Sequence, residues 1–263
     1  MRTLAWWLRV VRAGAVLQIT RGRGGNFLLA AVVTPVLYGA TLVLVARYFG
    51  RTNELAPFVV VGPAILGIWQ TAILTGAEIV SDERGAGTLE LLVAAPAPTE
   101  LLVLGRIAGN TLLSLISVPV VLLMARLLGA ELAIRDPFAA ALAVLCLALS
   151  TLAISLVYSS TFVLARSTRV FQNVIGFPAY IVSGIAFPIA LLPSFIQPIS
   201  AVVSLTWAAS LLRASFHDGA DGVTLTSVLA MLALTVLYGG AGHVLFSRIE
   251  RSIRRTGKVS LAA

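Results

Sequence analysis

The residues able to do chemistry are few, and most of them stand at the edges of long apolar runs. The densest group is Glu78, Ser81, Asp82, Glu83 and Arg84, followed by Gly85-Ala86-Gly87-Thr88-Leu89-Glu90-Leu91-Leu92-Val93-Ala94-Ala95-Pro96. Gly85 and Gly87 permit a sharp turn. Thr88 suits a helix N-cap, and Glu90 in the first turn suits the positive end of the helix dipole. Leu89, Leu92, Val93 and Pro96 share a face, Pro96-Ala97-Pro98 stops the helix, and Thr99-Glu100 can cap the next one. The pattern predicts a short, rigid amphipathic helix over 88–95. Such a helix either docks onto another protein or lies flat on lipid, and the pattern alone leaves both open.

Catalytic and metal chemistry find no constellation. The single cysteine, Cys146, has no intramolecular disulfide partner. His243 stands beside Gly239, Gly240 and Gly242 with no second ligand at metal spacing, and a lone histidine is more often a packed or interfacial residue. No Ser/His/Asp set has a plausible placement. Gly257-Lys258 is followed by Val259 and lacks the earlier glycine of a phosphate loop, so the chain does not bind ATP in that manner. Acids deep in a span would signal proton or sodium coupling. None lies deep here, since Glu78 falls at the end of its run.

The elements that must position these residues are membrane spans. The 263 residues are 59% hydrophobic and 11% charged, under half the roughly 25% charge of an average soluble domain. A water-soluble single domain is excluded. The stretches without Asp, Glu, Lys or Arg are 24–46, 55–77, 107–125, 137–165, 170–212 and 222–247. A helix needs about 20 apolar residues to cross the hydrocarbon core, so five of these are one span each. The fifth, at 43 residues, has length for two.

Charge decides the parity. With one span per stretch, both termini and the segments near 81–106 and 166–169 share a side. That side gathers 14 of the 19 basic residues against six of the 11 acids, and the other side balances five against five. By the positive-inside rule the basic side is cytoplasmic, and the +8 balance is a topology signal, with no nucleic acid implied. The expected fold is therefore an all-α integral membrane protein with six transmembrane helices, at about 27–46, 57–78, 101–126, 138–164, 171–188 and 224–246. Pro188, Pro193 and Pro198 punctuate the long stretch. What remains is too short to cross, so 189–212 is expected to dip into the outer leaflet and return as a re-entrant segment.

Residues 1–25 are expected to form an interfacial amphipathic helix. Leu4, Trp7, Leu8, Val11 and Ala15 share a face, Arg2 and Arg9 lie opposite, and Gly22, Gly24 and Gly25 end it. Residues 248–263 read as a basic cytoplasmic tail. Inside the spans, Thr34, Tyr38 and Thr41 form one polar stripe, Thr71, Thr75 and Glu78 a second, and Asn173, Tyr180 and Gly184 a third. Such stripes more often join helices than line a pathway.

Taken together, these residues resemble the type-2 ABC transporter permease family, the membrane subunits of exporters for drugs, lipids and polysaccharides. The family's cytoplasmic loop reads approximately Glu-Arg-x-x-Gly-Thr-Leu-Glu-x-Leu-x-x-x-Pro, and this chain supplies Glu83, Arg84, Gly87, Thr88, Leu89, Glu90, Leu92 and Pro96. A late signature, Ser-Gly-x-x-Phe-Pro, then Leu-Pro and an Arg before the last span, is filled by Ser183, Gly184, Phe187, Pro188, Leu192, Pro193 and Arg213. Ser204 departs from the proline that the family often has before the pair seen here as Leu205-Thr206.

The resemblance implies that 88–95 is a coupling helix seated in a groove of a separate ABC ATPase, with ATP and Mg on that partner and no cofactor on this chain. It implies two ATPase copies and a second permease copy or a paralogue, in a bacterial cytoplasmic membrane with both termini inside and membrane lipids around it. It also places the translocation path along the first, second and fifth spans, which singles out Tyr38, Gln70, Asn173 and Tyr180. The expected cargo is drug-like, amphiphilic or lipid-linked, with lipid-linked polysaccharide as the alternative. An ATP-independent secondary carrier is the competing class, and no inverted repeat in the spans favours it.

Overall fold

A computed structural model describes residues 4–21, 29–50, 57–71, 87, 99–130, 134–164, 178–185, 189–216 and 221–256. The regular structure among these residues is helical, with no strand. In chain order the helices are α1 (Leu4–Arg21), α2 (Thr34–Tyr48), α3 (Pro57–Thr71), α4 (Thr99–Ser114), α5 (Ser117–Leu127), α6 (Pro137–Leu164), α7 (Gln197–Ser200), α8 (Ser204–Ala214) and α9 (Asp221–Thr256). Four segments are long and apolar enough to cross a membrane: Ala31–Tyr48, Thr99–Leu127, Pro137–Thr161 and Leu225–Ile249. Pro57–Thr71 is a shorter apolar helix, about 22 Å long at 1.5 Å per residue. Of the expected fifth span, 178–185 is described, and 178–182 of it is helical.

Two prolines explain local departures from ideal helix. Pro35 has no N–H to give back to the preceding turn, and a π-helical turn over Leu29–Val33 precedes α2, with the Thr34 hydroxyl donating to the Leu29 carbonyl at 2.9 Å. Pro119 acts the same way in the expected third span. Its ring opposes the Leu115 carbonyl, and the chain breaks at Leu115–Ile116 into α4 and α5. The expected span at about 101–126 is matched by the spanning segment Thr99–Leu127, with this break inside it. At the start of α6, Asp136 caps the Ala139 N–H at 2.9 Å and Pro137 follows it, a favourable pair for a first turn.

Packing rests on small residues, because burial against lipid-like neighbours supplies little drive in a membrane. A large apolar cluster joins α3, α6, α8 and the 178–185 segment through Val61, Ile65, Ile68, Leu147, Ile185 and Leu205. A second joins α2, α3 and α5 around Val43, Val60 and Val121. A third ties α4, α6 and α9 through Ile107, Leu156 and Phe246.

α1 lies against α4 along a glycine seam. A Cβ on Gly105 would stand 2.3 Å from the Val11 carbonyl oxygen, and one on Gly109 2.6 Å from that of Ala15. Gly14 faces the Leu102 carbonyl equally closely. The Arg106 Nε, buried at the seam, donates to the Gln18 side chain at 3.1 Å. Val11 and Ala15, expected on the apolar face turned to lipid, thus meet protein, while Arg9 and Arg12 are exposed.

Candidate functional site

The late signature comes together around a tight turn. The helix over 178–182 ends where Gly184 takes φ +68°, the left-handed conformation that glycine adopts without a Cβ penalty. Ser183 is buried, and its hydroxyl donates to the Tyr180 carbonyl at 2.7 Å. The Arg213 guanidinium reaches back from the end of α8 and donates to the carbonyls of Gly184 and Ile185 at 2.9 and 2.8 Å. It also lies 4.0 Å over the Phe58 ring at the start of α3. Burial lowers the Arg213 pKa to about 10, still far above neutral, so it remains a cation. One side chain therefore fastens α3, α8 and the turn together. Phe187 and Pro188 lie outside the described residues, while Pro193 is exposed and its carbonyl accepts the Ile196 N–H.

The segment after the turn is held by backbone carbonyls. The Ser200 hydroxyl donates to Val182 at 2.6 Å, the Gln197 amide to Leu192 at 2.9 Å, and the Trp207 indole to Ala201 at 2.9 Å. Tyr238 of α9 donates its hydroxyl to the Val202 carbonyl. Ser204 is the first residue of α8 and follows an extended Val203. That position and that predecessor both suit proline, so the serine leaves the helix start where a proline would put it. Phe195, Ile199 and Val202 are exposed while Leu205 is fully buried.

Of the four expected path residues, the structure joins two. Tyr38 and Tyr180 meet edge to face, ring centroids 5.9 Å apart. The Tyr180 hydroxyl lies toward Tyr38 but closes no hydrogen bond among the described residues. A Cβ on Gly62 would stand 3.6 Å from that hydroxyl, which places the pair beside the N-terminal half of α3. Gln70 is eight residues further along α3, about 12 Å away along the axis. Its carbonyl oxygen and the neighbouring Trp69 indole N–H are likewise buried and unpaired among the described residues. Buried polar atoms normally find a partner, so such a series marks where water, cargo or further chain completes the set. Asn173 lies outside the described residues.

The hydroxyls of Thr34, Thr41 and Thr71 each donate to a carbonyl of their own helical region. Those members of the expected stripes are satisfied locally.

Of the loop expected to carry the coupling helix, only Gly87 is described. It is an exposed turn at φ +66°. Glu83, Arg84, Thr88, Leu89, Glu90 and Leu92 lie outside the described residues. At the far side of that loop, Glu100 in the first turn of α4 accepts from His243 Nδ1, with both carboxylate oxygens at 2.8 and 3.0 Å. Sequence reasoning singled out both residues and paired neither, because 143 residues separate them. Among the described residues no cluster of His, Cys, Asp and Glu side chains suits a metal ion.

No curated protein matches the chain. The family profile for the ABC-2 family transporter protein matches residues 30–243, which takes in α2 through most of α9. That match spans most of the sequence, so the chain belongs to the ABC-2 type transporter permease family, membrane transport subunits that normally work with an ABC ATPase partner.

Proposed function

We propose that this chain is the permease subunit of an ATP-driven exporter that moves a drug-like, amphiphilic or lipid-linked substrate out of the cytoplasm or inner leaflet. The family match over 30–243 carries the reading. Two permeases, identical or paralogous, pair with two ATPase subunits in a bacterial cytoplasmic membrane. The chain crosses six times with both termini inside, and 189–212 re-enters from outside. The excess of basic residues on one face of that topology supports it. ATP and Mg belong to the partner, since this sequence has no phosphate loop.

The route of coupling follows from connectivity. The helix at 88–95 docks in the ATPase through Glu83, Arg84, Gly87, Thr88, Leu89, Glu90 and Leu92. The chain continues through Pro96 and Pro98 straight into α4 at Thr99. A push on the loop therefore acts on α4, which is fastened to α1 by the glycine seam and to α9 by Glu100 and His243. Cargo passes along Tyr38, Gln70, Asn173 and Tyr180, where the unpaired buried polar atoms of Gln70 and Tyr180 offer hydrogen bonds.

Co-purification of the ATPase and substrate-stimulated hydrolysis test the docking. Glu83→Ala and Glu90→Ala each remove a charged contact worth about 1.5–3 kcal/mol, or roughly tenfold to hundredfold in affinity. Leu92→Asp costs more, because its carboxylate is buried without a partner. Wild-type values of both measurements for Leu92→Asp would remove this loop from the docking interface.

A further inference from the structure

The two parts of the spanning segment Thr99–Leu127 are held by different neighbours. Just past the break, Ser117 donates its hydroxyl to the Ala64 carbonyl of α3 at 3.2 Å. A Cβ on Gly67 of α3 would stand 2.5 Å from that of Ser117, and one on Gly39 of α2 2.4 Å from the Met124 methyl. α5 is thus locked to α2 and α3. α4 is locked to α1 instead, through Gly14, Gly105 and Gly109 and through Arg106 on Gln18.

The joint between the parts has the form of a hinge. The N–H groups of Leu115, Ile116 and Val118 each donate three residues back, to Leu112, Leu113 and Leu115, at 3.2 to 3.3 Å. Such tight bonds inside a long helix often mark a hinge. Pro119 has no N–H for the Leu115 carbonyl, and it is exposed, so no packed neighbour calls for its ring. At the other end of α4, Glu100 stands about 22 Å from Leu115 at 1.5 Å per residue. A rotation of α4 by about 10° about the break therefore displaces Glu100 by about 4 Å. That exceeds the 2.8 Å that joins it to His243 of α9. The imidazole is 65% exposed, so water replaces the lost partner and the contact opens cheaply. The same rotation shifts Asn110, which donates to the Thr71 carbonyl of α3 at 3.3 Å, by only about 1 Å, because it lies close to the pivot. The remaining contact of α4 with α6 and α9, Val103 and Ile107 against Leu156 and Phe246, is apolar and has no fixed direction.

We propose that α4 and α1 move as one lever that pivots at Leu115–Ile116, and that the Glu100–His243 pair is the latch that opens when the lever swings. α5 stays with α2 and α3, which carry Tyr38 and Gln70. The inference rests on the export reading above, because the force enters through the ATPase-docked loop that runs into Thr99.

The test places Glu100→Cys/His243→Cys in a full-length Cys146→Ala chain, assembled in lipid vesicles with the ATPase that co-purifies with it. A short, reductant-cleavable reagent that joins two thiols should bridge the pair readily without nucleotide. With ATP and vanadate, which trap the ATPase in mid-cycle, bridging should be several-fold slower. The bridged assembly should stop hydrolysing ATP and recover when reductant is added. Bridging Gln18→Cys to Arg106→Cys, both inside the lever, should leave the hydrolysis rate of that variant unchanged. Pro119→Ala restores an N–H for the Leu115 carbonyl and stiffens the joint, so it should lower ATP hydrolysis several-fold while the ATPase still co-purifies. Equal bridging rates with and without nucleotide, in an assembly with active ATPase, would overturn the lever and leave the export reading standing. So would undiminished hydrolysis by the bridged assembly. Failure of any ATPase to co-purify would overturn the export reading and the lever with it. If the cysteine pair does not fold, Pro119→Ala decides alone, since a wild-type rate of hydrolysis there would remove the hinge.

Discussion

Gly105→Ala is the sharpest perturbation of the seam between α1 and α4. The added methyl would lie 2.3 Å from the Val11 carbonyl oxygen and 3.0 Å from its carbon. It therefore falls about 1 Å short of ordinary contact, and a backbone carbonyl in a helix does not swing aside as a side chain does. α1 and α4 must separate, and a gap of 0.5–1 Å already forfeits about a quarter to a half of each contact's attraction. Overpacking of this kind costs about 1–3 kcal/mol. Alanine also gains about 0.5–1 kcal/mol over glycine in any helix interior. Gly240 in α9 isolates that gain, because nothing lies within 4 Å of the position its Cβ would take.

The difference between Gly105→Ala and Gly240→Ala is thus the overpacking cost alone, about 1–3 kcal/mol against Gly105→Ala. Thermal unfolding of the two purified variants measures it. Trypsin supplies an independent readout, since Arg9 and Arg12 are exposed on α1 and become cleavable when the helix lifts from α4. If Gly105→Ala is as stable as Gly240→Ala, and its α1 is no more readily cut, then the seam does not hold α1 and the argument from close approach is wrong.

Two further outcomes follow from the turn at Gly184 and its neighbours. Arg213→Met removes two charge-assisted hydrogen bonds and the stacking on Phe58, and should lower stability by about 2–4 kcal/mol, with Arg213→Lys between the two. A melting temperature for Arg213→Met equal to wild type would refute the clamp. Tyr180→Phe should change stability by less than about 0.5 kcal/mol, because its hydroxyl closes no hydrogen bond among the described residues. It should nonetheless reduce substrate-stimulated ATPase activity of the assembled transporter, and unchanged stimulation would take Tyr180 out of the path.

The membrane class and the helical character were legible residue by residue. A helix satisfies its own backbone, so whether a stretch crosses lipid depends on the sum of its local side chains. The capped start of α6 at Asp136-Pro137 is equally local, and so is the break before Pro119 within the span Thr99–Leu127. The loop and signature motifs suggested the family because their residues stand at fixed, short spacings along the chain.

Tertiary structure alone decided which faces meet. In water, apolar periodicity would tell a helix which side to bury. In a membrane the lipid is as apolar as the protein interior, so the pattern leaves rotation and register open. Only the packed chain therefore joined Arg213 to carbonyls 28 and 29 residues away, Glu100 to His243, and Tyr38 to Tyr180. For the same reason the sequence could place Val11 and Ala15 on one helix face, but only the packed chain set their carbonyls against Gly105 and Gly109 of α4.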